Sequence, residues 1–225
     1  MGTVVDFRVM ELLASRLCHD LVGPIGAVSN GLELMADDSM GMQDEALELA
    51  SRSARQSGHA LQFYRLAYGM AGNRVGGDFG ALRELILNYV SHSKAQFAWS
   101  VDAIPDGLPD EAGKLLLNLV ELAVESLPRG GKITAHIGSS DVGLFLAVTA
   151  AGDRAGLRDD LRIAMDDHVE VEDLSPRNVH GFFTRQLAKR MGTDLLLNEA
   201  VDDHIQFIVA FPLAKEDELE EAAEG

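Results

Sequence analysis

Six consecutive residues carry the side chains best suited to chemistry: His19-Asp20-Leu21-Val22-Gly23-Pro24. A free imidazole titrates at about 6.5, so near neutral pH much of it is an uncharged ring with one nitrogen able to attack and the other holding a proton. Asp20 follows directly and is the candidate acceptor for that proton. Adjacent side chains on a helix do not face each other, so a merely solvated Asp20 is the competing reading. Arg16, three residues before the histidine, adds a cation to the same stretch.

A helix must hold these residues. Ala14, Leu17, Leu21, Ile25 (or Pro24), Val28, Leu32 and Met35 recur by threes and fours, the seam of a helix packed against others. His19 stands two residues from both Leu17 and Leu21, which is about 200° around the helix, so its ring points to water. Pro24 removes the backbone donor that would reach the Asp20 carbonyl and sets a helix kink one turn beyond the histidine. Gly23 and Gly26 keep that flank thin enough for another protein's backbone to come close. Thr3-x-x-Asp6 reads as a capping pair, and the helix runs from there to about Asp38. Asp37-Asp38-Ser39-Met40-Gly41 makes a turn. A second helix follows from Gln43 to about Ala71, opening on Asp44, Glu45 and Glu48, where the helix dipole favours acids. Its seam is Leu47, Ala50, Ala54, Ser57 or Gly58, Leu61, Tyr64 and Tyr68, with His59 beside it as surface or intersubunit packing. This hairpin carries more apolar stripe than two helices cover. The sequence therefore predicts a homodimer in which residues 1–72 close a two-fold four-helix bundle.

The net charge of −17 argues against nucleic acid or an anionic membrane as partner, because phosphates are bound by clustered Lys and Arg. A single cysteine, Cys18, excludes an internal disulfide and fits a reducing cytoplasm. Its place toward the seam predicts a small buried filler. No run of eighteen apolar residues occurs, and the first residues lack a basic stretch before an apolar one, which predicts a soluble cytoplasmic protein.

Glycine-rich 73–78 is a composition break and the predicted linker. Beyond it helices and strands alternate over 79–213: helix 79–90, strand 97–103, helix 110–127, strand 132–138, strand 143–150, helix 178–191, and strands 194–198 and 204–211. Pro128-Arg129-Gly130-Gly131 is the turn before the second strand, in which Ile133 and Ile137 face in while Thr134 and His136 face out. The mixture predicts one sheet with helices on one face, hence an α+β fold overall. Residues 214–225 form an acidic tail.

A helical hairpin with an outward His-Asp-x-x-x-Pro, followed by such an α/β unit, resembles the core of sensor histidine kinases. There the motif reads His-Glu/Asp-Leu-Arg-Thr/Asn-Pro and the histidine is phosphorylated. His19, Asp20, Leu21 and Pro24 match it, while Val22 and Gly23 depart. The second unit is similar to the kinases' Bergerat-type ATP-binding domain, in degenerate form. Asn118-Leu119-Val120-Glu121-Leu122-Ala123 keeps the frame of their Asn-Leu-x-x-Asn-Ala helix but places Leu122 where the magnesium-binding asparagine stands. Ala150-Ala151-Gly152-Asp153-Arg154 replaces Asp-x-Gly-x-Gly, whose aspartate holds adenine. Val179-His180-Gly181-Phe182-Phe183 replaces the glycine-rich phosphate loop.

Over its full length the chain resembles the ChpT-type histidine phosphotransferases of the alphaproteobacterial cell-cycle phosphorelay, with HDLVGPIGA as the most specific stretch. The resemblance implies a homodimer that binds no ATP and no metal of its own. It implies that His19 takes a phosphoryl group from the receiver domain of a hybrid histidine kinase (CckA-like) and passes it to response regulators (CtrA-like and CpdR-like), with Mg²⁺ supplied by the receiver. Asp20 would then orient the ring. Arg16 would steady the phosphoryl group or pair with a receiver carboxylate, a plain surface arginine being the alternative. Leu12, Ser15, Arg16, Val22, Gly23 and Gly26 would form the docking face, with Leu12 and Val22 as its apolar anchor. The competing readings are an ATP-dependent histidine kinase with an atypical pocket and a phosphorylation-independent dimeric adaptor. Metal-dependent hydrolysis by His19 and Asp20 lacks a third ligand at helical spacing.

Overall fold

The computed structural model describes residues 6–36, 41–70, 72, 78–101, 103–141, 143–199 and 203–212. Thr3 of the predicted cap, most of the 37–41 turn, nearly all of the 73–78 linker and the acidic tail lie outside the described residues. The Asp6 carboxylate does accept the backbone N–H of Arg8.

Helix α1 spans Phe7–Ala36 without a break through Pro24, and α2 spans Gln43–Ala67. They run antiparallel: Gly31 meets Ala46 and Ala50, while Tyr64 reaches back to Asp20. The buried face of α2 comprises Ala46, Ala50, Ser53, Phe63, Tyr64 and Ala67. The predicted seams overlap in part with the faces that the chain itself covers: Ala50 and Tyr64 are buried, and Leu17, Leu21, Val28, Met35 and Tyr68 partly so. On α1, Val9, Arg16 and Gly31 are buried with Asp20 and Pro24 partly so, while Ala14, Ile25 and Leu32 are exposed. On α2, Leu47, Ala54 and Leu61 are exposed. The hairpin has an inner and an outer apolar stripe, and the periodicity merged residues of both into one seam.

Gly31 is where the helices come closest. A Cβ there would stand 2.9 Å from both the Ala46 carbonyl oxygen and the Ala50 Cβ. Gly31→Val should therefore lose about 1–3 kcal/mol by overpacking. Gly23→Ala, whose Cβ meets nothing within 4 Å, should instead gain about 0.5–1 kcal/mol from helix propensity. Urea unfolding midpoints of the two variants separate these opposite signs.

The α/β half begins with α3 (Phe79–Val90), capped by Asp78, whose side chain accepts from Ala81 N. Strand β1 (Ala95–Ser100), helix α4 (Ala112–Glu125), and strands β2 (Gly131–Ser140) and β3 (Gly143–Ala151) follow. Two short elements that the sequence reading left unassigned come next: α5 (Asp159–Ala164) and a 3₁₀ turn, Val171–Asp173. Both are too short to show a periodicity. Helix α6 (Val179–Arg190) and strands β4 (Leu195–Asn198) and β5 (His204–Pro212) complete it. The sheet order is β1-β2-β3-β5-β4, with only β1 and β2 parallel.

Helix α4 is the centre of the molecule. Every residue from Ala112 to Ala123 is buried, because the sheet covers one side and α2, α3 and α6 cover the rest. An apolar helix buried all round must satisfy each polar side chain inside the protein. Asn118 donates to the carbonyls of Ala67 and Lys114, and the first of these bonds ties α4 to the end of α2. Phe63 of α2 stacks on Tyr89 of α3 with ring centroids 3.8 Å apart. No helix among the described residues is long and apolar enough to cross a membrane.

Candidate functional site

His19 projects from α1 with its side chain 88% exposed, as its angle from the seam predicts. Its Nδ1 lies 3.2 Å from Oδ1 of Asp20, so the adjacent carboxylate does reach the ring. A carboxylate only accepts, so this contact favours the tautomer with the proton on Nδ1 and the lone pair on Nε2. The Tyr64 hydroxyl donates to the other Asp20 oxygen at 3.2 Å. Asp20 is thus held from α2 while it holds the ring.

Around the histidine, Ser15, Val22 and Gly23 are exposed, Val22 to 68%. Gly26 is partly buried, and a Cβ at Gly23 or Gly26 would touch nothing within 4 Å. The thin flank is real and the chain's own packing does not need it. Cys18 is exposed, contrary to the expected buried filler, although its neighbour Leu17 packs on the core.

Two residues of the expected docking face lie elsewhere. Leu12 is partly buried against the small cluster of Val9, Ala164, Leu174 and Val179, where the start of α1 rests on the α5–α6 region. It is no exposed anchor. Arg16 is 9% exposed and belongs to a buried ion cluster, so it is neither a surface arginine nor free to meet a receiver. Three residues turn a helix about 300°, so Arg16 sits some 60° from His19. That is enough for α4 and α6 to cover one and leave the other bare.

The cluster is dense. Arg16 Nη2 donates to Glu121 Oε1 at 2.8 Å and to Glu125 Oε1, and Nη1 reaches the carbonyls of Pro176 and Arg177. Tyr68 donates to Glu121 Oε2 at 2.7 Å, and Arg158 Nη1 to Glu125 Oε2 at 3.0 Å. Burial alone would lower the Arg16 pKa, but Glu121 and Glu125 outweigh it and hold the guanidinium firmly charged. Burial pushes the Glu121 carboxyl above its ordinary range, with Arg16 pulling it back. Burial, then Glu121 and Asp20, raises the Tyr64 hydroxyl.

His180 of α6 lies in the same cluster, fully buried, its Nε2 3.4 Å from Glu125 Oε1 and neither ring nitrogen hydrogen-bonded. Burial, then Arg16 and Arg158, holds its pKa well below the usual imidazole range, so it is neutral. Unfolded, the same ring titrates at about 6.5. As the pH falls through that value, the unfolded chain takes up a proton that the folded chain refuses, and stability drops. Glu121 acts in the opposite sense, since its raised pKa favours the folded state on acidification. Between about pH 6 and pH 5, His180→Gln should therefore reduce the loss of unfolding free energy by about 1.4 kcal/mol per pH unit relative to the parent, read from urea titrations.

Glu121, Glu125 and His180 bring ligand atoms within 4.8 Å of one another, the one metal-compatible grouping among the described residues. The Arg16 guanidinium already pairs with both carboxylates, so a cation there would have to displace it. His59, expected at the surface or in a subunit contact, is partly buried and pairs within the chain, its Nδ1 2.9 Å from His92 Nε2.

The kinase-like positions are filled with side chains. Leu122 is fully buried in the core. Asp153 pairs at the surface with Arg129 at 2.5 Å. Val179 and His180 begin α6 instead of a loop, and Gly181 is where α6 meets α5: a Cβ there would stand 2.7 Å from Leu161 Cδ1. Phe183 packs on Tyr68 with ring centroids 5.2 Å apart.

Sequence reasoning missed Tyr64, Glu121, Glu125 and His180 as members of the site. The acids had a visible signal: two carboxylates four apart in the otherwise apolar run LLLNLVELAVESL.

Comparison with known proteins gives a consistent result. The sequence model of the histidine phosphotransferase C-terminal domain matches residues 79–203. The protein phosphotransferase ChpT of Brucella abortus (strain 2308) is 30% identical over 193 residues, 85% of this chain and 90% of that protein. The 1.7 Å structure of a bacterial phosphotransferase superposes with a TM-score of 0.79 at 30% identity, covering 92% of this chain and 98% of that one. The Acinetobacter baumannii histidine kinase AdeS shares the fold alone, with a TM-score of 0.50 at 12% identity over 88% of this chain and 98% of that one.

Proposed function

This chain belongs to the histidine phosphotransferase family, and we propose that Nε2 of His19 is the atom that carries the phosphoryl group. One observation supports this above all: an exposed imidazole whose Nδ1 is held by Asp20, which favours the lone pair on Nε2. Nε2 attacks the phosphorus of an aspartyl phosphate on a receiver domain; the N–P bond forms as the P–O bond to that aspartate breaks, and the aspartate leaves as a carboxylate. The ring keeps its Nδ1 proton and becomes cationic, and the Asp20 carboxylate stands beside the new charge. Transfer to a second receiver runs the same steps in reverse. A loose phosphoryl transition state asks mainly for in-line positioning and charge stabilisation. Mg²⁺ bound by the receiver supplies charge neutralisation on the phosphoryl oxygens.

The partners in this reading are the receiver domain of a hybrid histidine kinase as donor and receiver domains of response regulators as acceptors, in the cytoplasm. Ser15, Val22, Gly23 and Gly26 form the docking face, which Leu12 and Arg16 leave. The α/β half is a Bergerat-type domain that no longer takes ATP, a reading supported by buried Leu122 and by the side chains of Val179–Phe183 where phosphates need bare backbone. A second copy covers the outer stripe of Ile25, Leu32, Leu47 and Leu61, completing a four-helix bundle across a two-fold axis. Sedimentation that shows a monomer at all concentrations would reject the dimer.

The test is a transfer assay. Offered a phosphorylated receiver domain and Mg²⁺, the chain should acquire acid-labile, alkali-stable label within minutes, and offered ATP and Mg²⁺ alone it should acquire none. Label from ATP alone would make it a kinase instead.

A further inference from the structure

We propose that Arg16 is a positioning residue for phosphoryl transfer at His19, and that the α/β half completes the site by holding it. The proposal rests on His19 being the phosphoacceptor and says what aims that ring.

Arg16 precedes Asp20 by one helical turn. Its Nε is a buried N–H with no hydrogen-bond partner, 3.9 Å from Asp20 Oδ2. Buried donors are rarely left unpaired, and this one lies about 1 Å beyond bonding distance of a carboxylate oxygen. The Tyr64 hydroxyl donates to the same Oδ2. Oδ2 thus has a donor from α2 and a cation from α1 beside it, and Oδ1 is the oxygen left for the His19 ring. Nearly every other bond of Arg16 is made to the α/β half: Glu121 and Glu125 of α4 take Nη2, and the carbonyls ahead of α6 take Nη1. Those acids are in turn fixed by Tyr68 and Arg158. An arginine gripped on so many sides cannot change rotamer cheaply. Asp20 therefore faces a cation whose place is set by a different part of the fold.

This gives the α/β half a direct part in the chemistry without requiring any ligand of its own. A carboxylate that turns away from the ring frees both tautomers and loses the countercharge as the ring becomes cationic. Misplacement on the order of 1 Å at a reacting group slows transfer by up to about 100-fold.

The test uses the full chain and two variants. Arg16→Lys keeps a positive charge in the cluster but has no donor where Nε stands. Glu125→Gln keeps Arg16 and loosens its anchor on α4, at a partly buried position, so it decides the matter should Arg16→Lys fail to fold. With a phosphorylated receiver and Mg²⁺ in single-turnover assays, both should lower the saturating transfer rate, by about 10- to 100-fold for Arg16→Lys, while the half-saturating receiver concentration stays within about twofold. Nitrogen chemical shifts of the free protein should show one dominant His19 tautomer in the parent and a mixture in the variants. A purely structural role would lower stability and leave both the saturating rate and the tautomer ratio unchanged. Folded variants with parental rate and tautomers would overturn the proposal. A parent that takes no label would overturn the His19 assignment instead, and the tautomer spectrum, which needs no receiver, still decides the positioning role.

Discussion

His19→Ala should abolish phosphoryl uptake from a phosphorylated receiver domain and leave the fold intact. The expected loss in transfer rate is at least about 1000-fold, because removing a nucleophile leaves only binding and electrostatic stabilisation with no atom to accept the group. The expected change in stability is within about 0.5 kcal/mol, because the side chain is 88% exposed and its one polar contact is with Asp20. The contrast between the two measurements carries the assignment. His168 and His204 are exposed as well, but neither stands on the helical hairpin. His180 is sealed in the core, His59 and His92 occupy each other's ring nitrogens, and His136 sits partly buried in β2. Label on the alanine variant equal to that of the parent, mapped to another histidine, would reject the assignment. A variant that loses label because it has unfolded would be recognised by its urea midpoint.

How far the sequence could be read follows from what kind of signal each feature leaves. The outward ring was legible because two leucines on either side of it fix a phase on the helix, and phase is a property of the chain alone. Most strands and long helices were legible for the same reason, with ends within a few residues. The second helix stops at Ala67, two residues before Gly69, and Asn118, from far along the chain, bonds its last carbonyl, a partner that no local pattern announces. Arg16 was misread because periodicity cannot tell which of two stripes the rest of the chain will cover. Its spacing from Val9, Asp20 and Pro24 fits the covered face as well as any apolar residue, and only the acids on α4 explain why a cation belongs there. Leu12 failed alongside it: an apolar residue near an exposed histidine looks like a docking anchor until α6 is found lying on it.

The Arg16 cluster also changes how the α/β half is to be understood. Glu121 and Glu125 sit one turn apart on a helix whose remaining surface is core, and they point at the hairpin. Buried acids in such a place are costly unless paired, and their partner comes from the helix that carries His19. The two halves of the chain are thus joined by charge next to the helix turn that bears His19, and by apolar packing elsewhere, as at Phe63 and Tyr89.

Arg16→Met should be among the most destabilising single changes in the protein, at about 3–5 kcal/mol near pH 7.5, because it leaves the buried Glu121 carboxylate without its cation and the partly buried Glu125 with Arg158 alone. The deficit should shrink on acidification. Burial already raises the Glu121 pKa and Arg16 holds it back, so without Arg16 the folded state takes up a proton more readily than the unfolded chain does, and protons favour folding of the variant relative to the parent. Adding Glu121→Gln should recover most of the loss at pH 7.5, since the amide oxygen still accepts from Tyr68 and no uncompensated charge remains at the buried position. The recovered stability is expected to be nearly independent of pH between about 5 and 7.5 relative to the parent carrying Glu121→Gln alone. Urea titrations of the four proteins at two pH values give the whole cycle. If Arg16→Met were as stable as the parent, or if Glu121→Gln made it worse, the guanidinium would not be the countercharge of α4, and the link between the two halves at His19 would have to be sought in packing alone.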